Sequence, residues 1–393
     1  MAWSLLHGVP ESDPLRSLSD PLERKSVRMS KTHGYSRWLV GMFAGVSLFA
    51  GCAAPESDAT NDPAEGTQEL APSVGDVSVS LSSAQSRFAA GERVEVSVIL
   101  SNSSRAAVRL LKWYAPVEDV EEPVFKVSRD GVDADFTGPH YKRPAAGDND
   151  FIVLKPGETL TRTVDLGAFY DLSRSGRYVI TFEVPAAKLR GEQVAGLVKS
   201  NGVYLYIEGR AGQQDEAPIT TNGAIAYNKC DATQQNTLVQ AVGAASNMAN
   251  DSVSYLTTTA PSGTARYTTW FGAFNTSGWN TATTHFNAIK SAFDTQTVTI
   301  DCGCNKTYYA YVYPTKPYVI YVCKAFWAAP MTGTDSKGGT LIHEMSHFNV
   351  VVGTDDYAYG QTNAKNLART DPAKALMNAD NHEYFAENTP FQN

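Results

Sequence analysis

His343-Glu344-Met345-Ser346-His347 sets two imidazoles four residues apart with a carboxylate beside the first. On a helix that spacing puts both rings on one face. Such a pair can hold Zn²⁺, with Glu344 placed to act as general base on water at the metal. Leu341, Ile342, Met345 and Phe348 are apolar around the histidines, as expected of a helix buried beneath an active-site floor. A buried imidazole pair without a ligand carries a desolvation penalty, which a metal relieves at both rings. The pattern points to a metallopeptidase, although five residues of this kind also recur by chance in unrelated helices.

A zinc site needs a third protein ligand, and Gly353-Thr354-Asp355-Asp356-Tyr357-Ala358-Tyr359-Gly360 follows closely. By itself this stretch reads as an acidic turn after a glycine. HExxH followed by GTxDxxYG resembles the deuterolysin (aspzincin) family of zinc endopeptidases. The resemblance implies Asp356, not Asp355, as the third ligand beside His343 and His347, one zinc per chain, and Tyr359 as the donor to the oxyanion. Without the motif Tyr359 would read as one packed aromatic among 19 tyrosines.

Further stretches resemble the peptidyl-Lys metalloendopeptidase branch of that family. They are Tyr267-Thr268-Thr269-Trp270-Phe271-Gly272, Ala310-Tyr311-Val312-Tyr313-Pro314, Ala325-Phe326-Trp327 and Asn378-Ala379-Asp380-Asn381-His382-Glu383-Tyr384-Phe385. The resemblance spans roughly residues 224–393. It implies that Asp380 and Glu383 line the pocket for a lysine following the scissile bond; by spacing alone they are a solvated acidic face. Protein or peptide substrates cut on the amino side of lysine are therefore expected. A zinc endopeptidase of broader specificity and a zinc hydrolase of non-peptide amides are the alternatives.

The chain has 393 residues, enough for two folded units and a leader. A formal charge of −8 without a basic cluster argues against a nucleic-acid partner. Of five cysteines, Cys52 stands alone at the end of an apolar run. Cys230, Cys302, Cys304 and Cys323 allow three pairings. Cys302 and Cys304 are too close to pair easily with each other, and the resemblance implies Cys230–Cys302 and Cys304–Cys323. Disulfides imply an oxidising compartment.

The leader agrees with export. Lys31, His33 and Arg37 precede an apolar run from Trp38 to Ala50, the length of a signal-peptide core, and Met29 is the more natural start. Leu48-Phe49-Ala50-Gly51-Cys52 resembles a bacterial lipobox, with Phe49 where leucine is usual. Lipidation of Cys52, the only membrane contact expected, and simple secretion are the two readings.

Residues 53–73 lack an apolar period and read as a tether. From 74 to 209, short alternating stretches such as Val77/Val79/Leu81 and Val94/Val96/Val98, separated by Gly91-Glu92, Pro156-Gly157 and Ser175-Gly176, predict an all-β immunoglobulin-like sandwich. It serves as a prosequence, making the protein a zymogen, or as an accessory recruiting domain. No catalytic constellation is legible in it. Residues 210–223 read as a linker. Residues 224–393 read as an α+β, mainly helical, zincin-like domain, with a capping box at Asp231/Gln234, strands at Thr297–Asp301, Ala310–Tyr313 and Tyr318–Val322, and a helix start at Asp371-Pro372.

Overall fold

Alternation of valine and leucine with serine and threonine builds the first sheet. Val77–Ser82, Glu95–Asn102 and Thr159–Asp165 pair antiparallel, Glu95–Asn102 in the middle. Val96, Val98 and Leu100 point inward on one face, as a period of two requires. The computed structural model describes residues 77–117, 119–209 and 223–392. The leader, Cys52, the tether at 53–73 and nearly all of the linker at 210–223 lie outside the described residues.

A second sheet runs in the order Arg87–Phe88, Val203–Ile207, Gly176–Pro185, Phe125–Arg129, Val132–Asp133, and Leu197–Lys199 also pairs with Gly176–Pro185. Arg87–Phe88 is parallel to its neighbour and the other pairs are antiparallel. Val108–Leu111 and Phe151–Leu154 form a separate pair. Together they enclose a core containing Val96, Leu100, Ile180, Phe182 and Leu205. This N-terminal part is thus β-rich. The short helix Ala186–Arg190 and the strands Val108–Leu111 and Phe125–Arg129 are additions that the alternation did not mark.

The C-terminal part is mainly helical. Ala232–Thr258 begins at Asp231, whose carboxylate accepts the Gln234 N–H at 2.8 Å while the Gln234 side chain accepts the Asp231 N–H at 2.9 Å. Pro372–Ala375 starts from an Asp371 cap. Ala232–Thr258 packs on Thr276–Thr295 and on Lys337–His347, and Ala379–Glu387 packs on Lys337–His347. Lys337–His347 is buried on all sides, so its residues must fit their neighbours closely. A Cβ at Gly339 would lie 2.1 Å from the Glu387 carboxylate, so glycine is required for that approach. No helix of the described residues is long and apolar enough to cross a membrane.

Both disulfides, Cys230–Cys302 and Cys304–Cys323, are formed with the pairing the resemblance implied. They close loops with sequence separations of 72 and 19 residues. Loop-closure entropy assigns them about 4 and about 3 kcal/mol.

The C-terminal sheet runs Ile225–Asn228, Val298–Asp301, Val319–Val322, Ala310–Val312, His140–Lys142. Its first three strands are parallel and the last two antiparallel to their neighbours. The fifth strand comes from the N-terminal part of the chain, and it joins the two parts into one compact unit among the described residues. Residues 74–209, in which no catalytic constellation was legible, thus place His140–Lys142 in the sheet of the C-terminal part.

Candidate active site

The rings of His343 and His347 leave the same face of helix Lys337–His347, and their Nε2 atoms are 3.2 Å apart. The chain then turns back through Gly353, at φ +70°. Thr354 fastens that turn to the helix: its N–H donates to the Ser346 carbonyl at 3.1 Å, and its hydroxyl meets the Ser346 hydroxyl at 2.7 Å. Asp355 is exposed and spends its backbone on Met377 and Ala379. Asp356 faces inward, with Oδ1 3.3 Å from His343 Nε2 and Oδ2 3.5 Å from His347 Nε2.

These three side chains, through two Nε2 atoms and the Asp356 carboxylate, fit a zinc ion. Zn–N and Zn–O bonds of about 2.0–2.2 Å in a tetrahedron place neighbouring ligand atoms roughly 3.3 Å apart, the separation found. Both Asp356 oxygens are buried without a hydrogen-bond partner, and so are both oxygens of Glu344, an arrangement that is costly unless a cation or reacting group completes it. The second nitrogen of each imidazole is held. His347 Nδ1 lies 2.7 Å from the Thr354 carbonyl and His343 Nδ1 lies 2.8 Å from Asp380 Oδ1. The Thr354 carbonyl keeps His347 Nδ1 as the donor and frees its Nε2 for the metal, and the Asp380 carboxylate stands as an ion-pair neighbour on the Nδ1 side of His343.

Burial pulls the His343 imidazole down, but the Asp356, Asp380 and Glu383 carboxylates outweigh it and raise it to about 10. Burial raises Asp356 to about 7 and Glu344 to about 8, His343 opposing the latter. Without metal, His343 therefore holds a proton at pH 8, while most Asp356 does not. Zinc uptake by the full chain at pH 8 is expected to expel about one proton, and affinity should rise roughly tenfold per pH unit between about pH 7 and pH 10 and more steeply below pH 7, where Asp356 is protonated as well. Titration calorimetry in buffers of different ionisation heat measures this; uptake with no proton released would contradict it.

Asp380 and Glu383 lie on helix Ala379–Glu387 and are wholly buried. They face a cation from the same chain. Lys142 Nζ is 2.5 Å from Glu383 Oε2, 3.3 Å from Asp335 Oδ1 and 3.6 Å from Asp380 Oδ1, and the residue is 1 % exposed. Burial alone would lower the Lys142 ammonium, yet Asp380, Glu383 and Asp335 hold it well above its ordinary value. Burial likewise opposes ionisation of Asp380, but Lys142, His343 and the Gly360 N–H bring it to about 2. Lys142 and Asp380 are thus ionised across neutral pH, while burial raises the Glu383 carboxyl against the pull of Lys142.

Asp335 is a site residue that sequence reasoning missed. It sits at φ +51° just before helix Lys337–His347, its N–H donates to Glu387 Oε2 at 3.2 Å, and the Tyr384 hydroxyl donates to its Oδ1 at 2.8 Å. Nothing in Gly333-Thr334-Asp335-Ser336 distinguishes it from an ordinary polar turn.

Tyr359 is half-buried, and its hydroxyl is engaged by the N-terminal part. It donates to Glu122 Oε1 at 3.1 Å and accepts from Arg143 Nη1 at 3.1 Å. The Arg143 guanidinium pairs with Glu122 and lies 4.7–5.0 Å from the rings of Tyr141, Trp113 and Tyr308. His140, two residues before Lys142, lies beside Asp356 and His347. A cavity of about 760 Å³ borders His140, His347, Asp356, Tyr357 and Pro314, giving small solutes a route to the site.

Residues 256–387 match the model of the aspzincin family, described as lysine-specific metallo-endopeptidases. An extracellular protease of Aeromonas hydrophila is 46 % identical over 311 residues, covering 76 % of this chain and 89 % of that protein. A peptidyl-Lys metalloendopeptidase of Armillaria mellea is 36 % identical over 337 residues, covering 80 % and 93 %. A solved zinc peptidase from Grifola frondosa is 49 % identical, covering 42 % of this chain and all of its own, with a TM-score of 0.40. The chain therefore belongs to the aspzincin family of zinc-dependent metalloendopeptidases.

Proposed function

We propose that this enzyme hydrolyses peptide bonds on the amino side of lysine, with one zinc held by His343, His347 and Asp356. The observation that carries the lysine preference is the Lys142 ammonium among Glu383, Asp335 and Asp380. A substrate lysine entering from solvent meets the same three carboxylates. Its backbone would follow the track of His140–Lys142, antiparallel to Ala310–Val312, with lysine opposite Ala310. The relative from Armillaria mellea, named for this specificity, supports the reading.

Zinc bound at the site would supply a Lewis acid that polarises the scissile carbonyl and brings the pKa of water toward about 7. Glu344 accepts the proton from the attacking water and returns it to the leaving amine. Tyr359 donates to the developing oxyanion, for which one such donor typically contributes about 2.7–4 kcal/mol. It is free to do so once Glu122 and Arg143 release its hydroxyl.

Residues 74–209, an immunoglobulin-like sandwich in this reading, act as a prosequence rather than a recruiting domain, because their strand His140–Lys142 lies in the substrate track. Processing within 210–223 would free the C-terminal part. Export follows from the leader and from the relative named an extracellular protease. Lipid on Cys52 would tether the precursor to a bacterial envelope.

Digestion of a mixed peptide library by the processed enzyme tests the specificity. New N-termini should begin predominantly with lysine. Termini beginning mainly with hydrophobic residues would refute it, and a broad spread would leave a zinc endopeptidase without the lysine preference.

A further inference from the structure

We propose that His140 is a fourth, displaceable ligand of the metal in the full-length chain. The inference rests on the zinc-peptidase reading of the site and adds a coordination state to it.

Strand geometry brings the imidazole there. Residues two apart on a strand share a face, so His140 and Lys142 both point toward the site. Tyr141 points the other way and packs on Tyr308 and Tyr311, with ring centroids 5.3 and 5.2 Å away. Pairing of Tyr141 with Tyr311 and of His140 with Val312 fixes the register, and Lys142, locked in its carboxylate pocket, prevents a slip. His140 Nδ1 then lies 4.0 Å from Asp356 Oδ2, and its ring centroid is 4.7 Å from that of His347. The ligand-capable atoms of His140, His347 and Asp356 all fall within 4.8 Å of one another. Among the described residues the His140 imidazole has no hydrogen-bond partner, and the side chain is only 9 % exposed. A nearly buried imidazole without a hydrogen bond, beside two ligands of one metal, has a natural partner in that metal.

The chemistry follows from ligand count. Three protein ligands leave a zinc ion an open position for water or substrate, whereas four close it. With His140 bound, the precursor has a closed site. Removing the N-terminal part withdraws the imidazole and opens the position in the same event that empties the lysine pocket.

X-ray absorption at the zinc edge, on full-length protein carrying Glu344→Gln to prevent self-processing, counts the imidazoles directly. The parent should show three per zinc and His140→Ala two, and a chelator should strip zinc from the latter roughly tenfold faster or more. Should His140→Ala fold poorly, His140→Phe keeps the ring volume without the nitrogen. Two imidazoles in the parent, with one zinc bound, would overturn the role of His140 and leave the zinc-peptidase reading standing. A parent that takes up no zinc would overturn both.

Discussion

Replacing Glu344 by glutamine in the processed enzyme is expected to lower kcat by roughly two to four orders of magnitude while zinc content and fold are retained. Glu344 is wholly buried, neither oxygen has a hydrogen-bond partner, and burial raises its proton affinity to about 8. A dication held by His343, His347 and Asp356 would lower that affinity and leave Glu344 ionised as a base near neutral pH. Glutamine keeps the shape and one acceptor oxygen but cannot take a proton, so KM should move little. Steady-state kinetics with metal analysis of the same preparation separates the outcomes. Full turnover would remove Glu344 as the base, whereas lost activity with lost zinc would make it a support of the metal.

The parts legible in the sequence were those written in local pattern. HExxH needs one helix turn to bring His343 and His347 together, and Val77/Val79/Leu81 needs one strand. The capping box at Asp231 lies within three residues. Asp380 and Glu383 were found only through resemblance, since three-residue spacing is equally that of a solvated face. Their geometry adds something no spacing carries: they are wholly buried, and Asp380 reaches both Lys142 and His343. His140, Lys142 and Arg143 left no trace because their partners are 170 to over 240 positions away or lie in other elements, and a three-residue strand has no period to read. Lys142 looked like any surface lysine; only the tertiary contact with Glu383 gives it a meaning. Asp335 was hidden for the same reason, as its role depends on Tyr384 and Glu387 from a later helix.

The three pocket carboxylates should respond differently to removal, and the difference tests the pocket more sharply than a combined variant. A lysine ammonium forms charge-assisted hydrogen bonds of about 1.5–3 kcal/mol each, so losing one partner should cost roughly ten- to hundredfold in kcat/KM for lysine substrates. Glu383 is the nearest carboxylate to Lys142 Nζ, and Asp335 touches no metal ligand in the contacts described above. Asp335→Asn is therefore expected to lower the lysine preference by about that factor with little loss of zinc, whereas Glu383→Gln, whose Oε2 also lies 3.5 Å from His343 Nδ1, should lower the preference likewise and weaken zinc binding less than Asp380→Asn does. Asp380 has a second duty, because its Oδ1 lies 2.8 Å from His343 Nδ1. Partners of this kind typically change metal affinity about 10–100-fold, so Asp380→Asn should weaken both lysine selection and zinc binding. Arginine remains a competitor for any acidic pocket, and its exclusion must come from the depth and shape set by Tyr309 and Tyr384, whose ring centroids lie 5.3 and 5.6 Å from the Lys142 ammonium. Parallel measurement of kcat/KM on lysine, arginine and norleucine peptides, with zinc affinity for each variant, resolves the two effects. Unchanged lysine-to-norleucine ratios in Glu383→Gln and Asp335→Asn would show that charge does not set the specificity, and undiminished zinc affinity in Asp380→Asn would show that His343 is oriented without it.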